Sequence, residues 1–141
     1  MMSEGLLLSS KKSAKGIFNM LPVLLGVVLL IGLVNSLVPE SYYHKLFGGN
    51  YLINSIIGSG LGSVLAGNPI NSYIIGFKLF DLEVGLVAIT AFMVAWVTVG
   101  VVQLPAESIL LGRKFALWRN LISFVFSIVV ALLTVFIVNL L

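Results

Sequence analysis

The residues able to do chemistry are few, and most of them lie between positions 67 and 107. Gly67-Asn68-Pro69-Ile70-Asn71-Ser72 sets two amides and a hydroxyl around a proline. Proline disfavours helix at the residue before it, and glycine tolerates backbone angles that other residues avoid. A helix arriving from the N-terminal side therefore stops here, and another restarts at Pro69 or Ile70. The restart predicts free N–H groups and a positive dipole end at the break, with Asn68, Asn71 and Ser72 as side-chain donors or acceptors. Such a site favours an anionic or polar solute. The alternative is a structural kink whose amides satisfy the freed carbonyls of neighbouring helices. Farther along, Gln103 and Glu107 flank Leu104-Pro105. Gln103 is either solvated at a helix end or turned toward the break to bind solute. Glu107 is either an interfacial charge or a carboxylate at membrane depth, where an ionisable group is a candidate for function.

Enzymatic chemistry has little to work with. The chain has no cysteine, a single histidine, His44, and a single aspartate, Asp81. Thiol nucleophiles, thiolate metal sites and an intramembrane aspartate pair are excluded, HExxH is absent, and no serine has a histidine partner in a plausible span. The expectation is no catalytic residue, no metal and no cofactor. His44 belongs to Pro39-Glu40-Ser41-Tyr42-Tyr43-His44-Lys45, which reads as an interfacial turn whose paired tyrosines suit the headgroup level. A structural role fits that histidine.

The elements that must position these residues follow from composition. Of 141 residues, 60% are apolar and 9% charged, against about 25% charged in a soluble domain. Mean hydropathy is +1.16. The charges fall in clusters and leave four charge-free stretches, 16–39, 46–77, 84–106 and 120–141, where a spanning helix needs about 20 apolar residues. An integral membrane protein follows, with one bundle of about three to five passes and no separate aqueous domain. The net charge of +3 reads as membrane orientation and not as nucleic-acid binding. Lys11, Lys12 and Lys15 precede an apolar run longer than the roughly 7–15 residues of a signal-peptide core, so 17–38 reads as a retained first span.

The stretch 46–77 cannot be one straight helix, because its 32 residues would extend about 48 Å against a hydrocarbon core of about 30 Å. It holds seven of the fourteen glycines. The expected elements are half-helices at about 53–67 and 70–80, then spans at about 84–104 and 120–141. Polar backbone at membrane depth is tolerated only where protein buries it or where it lines a cavity. Upstream of the break, Gly58, Gly62 and Ala66 repeat every four residues, as do Ser55, Ser59, Ser63 and Gly67. These are helix-packing ridges of small residues. A hairpin at 46–77 puts Lys11, Lys12, Lys15, Arg113, Lys114 and Arg119 on one side against Lys45 and Lys78, which fixes the basic side in the cytoplasm. A crossing there divides the cations evenly and gives no bias. The hairpin is preferred.

Three strings carry a family resemblance: Leu65-Ala66-Gly67-Asn68-Pro69-Ile70-Asn71-Ser72-Tyr73-Ile74-Ile75-Gly76, Val94-Ala95-Trp96-Val97-Thr98-Val99-Gly100-Val101-Val102-Gln103-Leu104-Pro105-Ala106-Glu107, and Gly112-Arg113-Lys114-Phe115-Ala116-Leu117-Trp118-Arg119-Asn120. In that order they resemble the second half of the predicted permeases that include YraQ and the organoarsenical exporter ArsP, over roughly residues 55–141. Larger members are similar in carrying two related halves in one chain. The resemblance therefore implies pairing, with a second copy or with another half-size subunit, and solute export or permeation. It places Asn68, Pro69, Asn71, Gln103, Pro105 and Glu107 at matching positions. The chain departs from the pattern in lacking cysteine, so arsenic does not carry over as substrate. The sequence thus predicts an all-α polytopic transmembrane bundle with a re-entrant or broken helix pair at the Asn-Pro motif. Its expected partners are the lipid bilayer, a small-molecule or ion solute and a second half, with Asn68, Pro69, Asn71, Ser72, Gln103 and Glu107 at the solute site. A passive channel and a non-transporting assembly subunit are the rival functions.

Overall fold

The computed structural model describes residues 10–16, 18, 21–22, 25–26, 29, 32–33, 36–37, 39–65 and 68–141. It forms two units, residues 1–38 and 39–141. In the first, every described residue from 10 to 37 is helical; the expected span at 17–38 lies partly outside the described residues, as do Ala66 and Gly67 of the small-residue ridges.

The second unit is all-helical among the described residues: α1 (Glu40–Leu46), α2 (Tyr51–Val64), α3 (Pro69–Asp81), α4 (Leu86–Thr98), α5 (Leu104–Leu111) and α6 (Arg113–Val138). Local chemistry sets most of these boundaries. Segment 39–45 is a short helix where a turn was expected, because Pro39, with φ near −59°, stands at its N-cap, where its fixed angle does no harm. Asn50 caps α2 by accepting the Ile53 N–H at 2.9 Å, which starts the helix ahead of the expected residue 53. Leu65 is extended and ends it.

The span expected at 84–104 is interrupted. α4 stops at Thr98, residues 99–103 form a turn, and α5 begins at Leu104. Val97, Thr98, Val99, Val101 and Val102 are β-branched around Gly100, a combination that weakens helix. Pro105 stands in the first turn of α5, where proline starts a helix instead of ending one. The last helix begins at Arg113, ahead of the expected Asn120, directly after Gly112 with φ +88°. Among the described residues α6, with 26 residues, is the one helix long and apolar enough to cross a membrane.

Packing fixes the directions of the chain. A Cβ on Gly58 would strike the Ala88 carbonyl oxygen, and one on Gly62 would strike that of Phe92 and lie 3.1 Å from the Ala95 side chain. Rising numbers on α2 thus meet rising numbers on α4, and the two run parallel. Gly76 of α3 meets Ile89 and Met93, whereas Ser72 and Tyr73 share a groove with Val97 and Thr98, so α3 runs antiparallel to α4. It follows that α2 and α3 oppose one another and the chain reverses between Leu65 and Asn68. α6 runs antiparallel to α4: Val87 and Ala91 cluster with Ala131 and Val135, and Gly100 bonds to Asn120. The two ridges of α2 thus serve different neighbours. Gly58 and Gly62 meet α4; Ser59 lies 2.8 Å from Ser127 of α6. Ser127 donates its own proton to the Phe124 carbonyl at 2.7 Å, which leaves Ser59 the donor of the pair.

Because the atoms facing Gly58 and Gly62 are backbone, they cannot rotate away. Gly58→Ala and Gly62→Ala should each lower stability by about 1–3 kcal/mol. Gly60, where an added Cβ would meet nothing within 4 Å, should instead tolerate alanine or gain up to about 1 kcal/mol from helix propensity. Thermal unfolding of the three variants in one detergent checks the contrast.

Candidate functional site

The reversal is built on Asn68. Its side chain accepts the Ile70 N–H at 3.0 Å, its carbonyl accepts the Asn71 N–H at 2.9 Å, and Pro69 has no N–H to satisfy. The donors expected to be free at the start of α3 are thus bonded within the turn. This corrects the expectation of free N–H groups at the restart, and the reason is that asparagine is among the best N-cap residues. Ser72 Oγ donates to the Pro69 carbonyl at 2.7 Å. Asn71 differs from its neighbours: it is 6% exposed, and its Oδ1 has no hydrogen-bond partner. A buried acceptor left unpaired is uncommon and costly.

A second polar centre forms where α4 gives way to α5. Val99 closes α4 by donating to Ala95 at 2.8 Å, and the next N–H, that of Gly100, donates to Asn120 Oδ1 at 2.7 Å. The Asn120 amide nitrogen donates to Glu107 Oε2 at 3.1 Å and to the Ala116 carbonyl at 3.0 Å. Arg119 Nη2 lies 2.6 Å from Glu107 Oε1. One carboxylate therefore receives both an amide and a guanidinium from consecutive residues of α6. Charge-assisted bonds of this kind are the stronger class. Gln103 is exposed, and its side chain lies over Gly100, where a Cβ would come within 3.0 Å of its Oε1.

The two centres occupy the same end of the helices around α4. Ser72 and Tyr73, on the first turn of α3, line a groove of about 410 Å³ with Thr90, Met93, Val94, Val97 and Thr98 of α4, and Thr98 is the last residue before the second interruption. Asn68, Pro69, Asn71 and Ser72 thus gather on one turn, whereas Glu107 is held by Arg119 and Asn120, and no bond joins it to Asn71 or Ser72 among the described residues. Asn120 and Gly100 belong to this second centre and were not among the expected site residues. The signal for Asn120 is an amide heading an apolar stretch; that for Gly100 is a glycine among β-branched residues.

No family model matches this chain, and neither a curated protein nor a solved structure shows a significant match to it.

Asn120 joins an interrupted helix to a carboxylate, so Asn120→Ala leaves the Gly100 N–H and part of Glu107 unpaired and should cost about 2–3 kcal/mol. Glu107→Gln keeps an acceptor for Asn120 and sets its NH2 group against the Arg119 guanidinium, whose side chain is 37% exposed and can turn to water, a cost of about 1 kcal/mol or less. Denaturant unfolding of both variants in detergent checks the order.

Proposed function

We propose that this chain is a half-size, multi-pass membrane permease that assembles with a second copy, or with another half-size subunit, and exports a small solute past the Asn68-Pro69 break. The observation that carries this reading is the convergence of two helix interruptions, at Leu65–Asn68 and at Val99–Gln103, on one end of α2, α3 and α4. Helices of 14 and 13 residues extend about 21 and 20 Å, less than the roughly 30 Å of hydrocarbon. If α2 and α4 start at one membrane face, both interruptions fall inside the apolar layer. Irregular backbone at that depth has to be buried by protein or line a water-containing path, and broken helices that meet are a recurring way to build a solute site.

Further support comes from the reversal between α2 and α3, which suits a re-entrant hairpin, and from the cation distribution that the hairpin gives. In that arrangement residues 17–38, the α4–α5 pair and α6 cross the membrane, and the basic clusters at Lys11, Lys12 and Lys15 and at Arg113, Lys114 and Arg119 share the cytoplasmic face. The resemblance of residues 55–141 to one half of the two-repeat permeases points the same way and supplies the reason for pairing. A second reading, an assembly subunit without transport, is favoured by one observation: Asn68 and Asn120 spend side-chain bonds on the interrupted backbone itself.

The natural absence of cysteine makes labelling free of background. Ser72 itself is buried, so the reporter is its exposed neighbour in the groove: Tyr73→Cys should react with a membrane-impermeant maleimide from one face of the membrane. Lys45→Cys and Lys114→Cys serve as controls and should react from opposite faces, because the start of α2 lies beside the end of α6: Tyr51 shares a groove with Phe136 and Asn139. A Tyr73→Cys that stays silent from both faces while the controls react would transfer the assignment to the assembly subunit.

A further inference from the structure

Where α5 turns into α6, two cations stand without an acid and three large apolar side chains stand uncovered. Arg113 and Lys114 are exposed and form no ion pair among the described residues, and no acidic residue lies in the first turn of α6. Ile109, Leu110 and Leu111, just before them, are 85%, 81% and 57% exposed, and no residue of α5 is buried. Trp118, one turn past Lys114 on the same side of α6, is exposed as well. These residues share one corner because both its ends are fixed. Gly112 joins the two helices, and Glu107 on α5 reaches Arg119 and Asn120 on α6. Between those two points α5 lies back along α6, which sets Leu110 and Leu111 beside Arg113 and Lys114.

Their depth follows from length. α6, with 26 residues, extends about 39 Å against about 30 Å of hydrocarbon, an excess of about six residues. The charge-free stretch 120–141 suits the apolar layer, so the excess falls on Arg113 to Trp118, at headgroup level, where an indole is favoured. The cation next in depth is handled differently, since Arg119 is paired with Glu107. Charge is thus neutralised within the protein where hydrocarbon begins and left open where the phosphates lie. With Glu107 offsetting Arg119, the corner keeps the two positive charges of Arg113 and Lys114. A nucleic acid or an acidic soluble protein would meet those charges and leave Ile109, Leu110 and Leu111 in water; a bilayer with anionic headgroups takes both. Lys11, Lys12 and Lys15 carry more charge, but residues 10–16 hold no large apolar side chain.

We infer that the α5–α6 corner is a docking surface for anionic phospholipid, with the headgroup against Arg113 and Lys114 and the acyl chains beside Leu110, Leu111 and Trp118. The inference rests on the membrane placement in the permease reading, though not on transport. A phosphocholine headgroup carries its own cation beside the phosphate and gains little from two more. A net-negative headgroup gains from both, and two basic residues at a membrane surface correspond to a preference of about thirtyfold. Trp96→Phe leaves Trp118 as the sole tryptophan of the full-length chain, because the sequence holds two, and bromine on an acyl chain quenches an indole that it touches.

The variant is reconstituted in phosphatidylcholine vesicles with rising shares of brominated phosphatidylglycerol or of brominated phosphatidylcholine. Quenching should show phosphatidylglycerol held at Trp118 about thirtyfold more tightly, and Arg113→Gln or Lys114→Gln should each lower that ratio about fivefold. The two changes together should bring it close to one, whereas Lys11→Gln, Lys12→Gln and Lys15→Gln together should leave it unchanged. Equal quenching by the two lipids overturns the inference and leaves the permease reading standing. A preference that survives the Arg113 and Lys114 changes, or that vanishes with the three lysine changes, does the same. Absence of quenching by either lipid overturns the inference together with the membrane placement. The unaltered chain gives a second measurement that needs no tryptophan change. Its thermal midpoint in detergent should rise with added phosphatidylglycerol and not with phosphatidylcholine, and Arg113→Gln with Lys114→Gln should abolish the rise; a rise equal for both lipids, or none, overturns the inference.

Discussion

Everything in the second unit depends on how closely α2 lies against α4. Gly58 and Gly62 bring one backbone onto the carbonyls of another, Ala88 and Phe92, at a separation where no side chain fits. At that separation van der Waals contact between the backbones is joined by Cα–H···O approaches, which only residues without a side chain permit. Two such contacts one turn apart fix both the axis and the register of α2 on α4. Once α2 is parallel to α4, the segment after it has to turn back to reach Val84, and α3 becomes the return limb of a hairpin. The Asn-Pro turn therefore sits at the end of α4, beside the Gly100 interruption, as a consequence of a glycine contact about two to three turns away.

Interrupting a helix exposes N–H and carbonyl groups, and the same chemistry handles both interruptions. At Asn68 the amide oxygen takes the Ile70 N–H; at Asn120 it takes the Gly100 N–H across from another helix. The first is local and fixes a turn. The second ties α6 to α4 and, through the amide nitrogen, to Glu107 on α5, so one buried side chain joins three helices. Ser55, Ser63, Ser72, Thr98 and Thr134 return their hydroxyl protons to carbonyls three or four residues earlier. They keep their lone pairs and present no free donor. A chain this apolar has few donors to spare, which sharpens the contrast with the unpaired Trp96 indole.

The break at Asn68 was legible because proline and asparagine act locally: one forbids helix before it and the other caps helix after it. For the same reason the boundaries of α3 lie within a residue of those expected, Pro69–Asp81 against 70–80. The cost of locality was an error about the donors, since the residue that marked the break also closed it. The interruption at 99–103 was not legible, because β-branched residues are ordinary in apolar helices and Pro105 reads equally as a stop and as a start. Only the hydrogen bond from Gly100 to Asn120, twenty residues apart, decides it. Glu107 was singled out by its type, whereas its partners Arg119 and Asn120 lie a helix away, where periodicity has no reach. The reversal of the chain was open in the sequence between hairpin and crossing. The pairing of Gly58 with Ala88 and of Gly76 with Ile89 and Met93 supplies the directions that no spacing within 46–77 contains.

The distribution of satisfied and unsatisfied groups is not uniform. Both oxygens of Glu107 are engaged, whereas Arg119 Nε beside it, Asn54 Oδ1, Asn71 Oδ1 and Trp96 Nε1 are buried without a hydrogen-bond partner. A fold that merely tolerated a kink would gain by replacing Asn71 and Trp96 with apolar residues of similar volume, since each unpaired buried group costs about 1–3 kcal/mol. Retaining both is a cost that the apolar replacements would remove. The glycine contact and the Asn120 network are the two places where the helices of the second unit are tied most closely to one another.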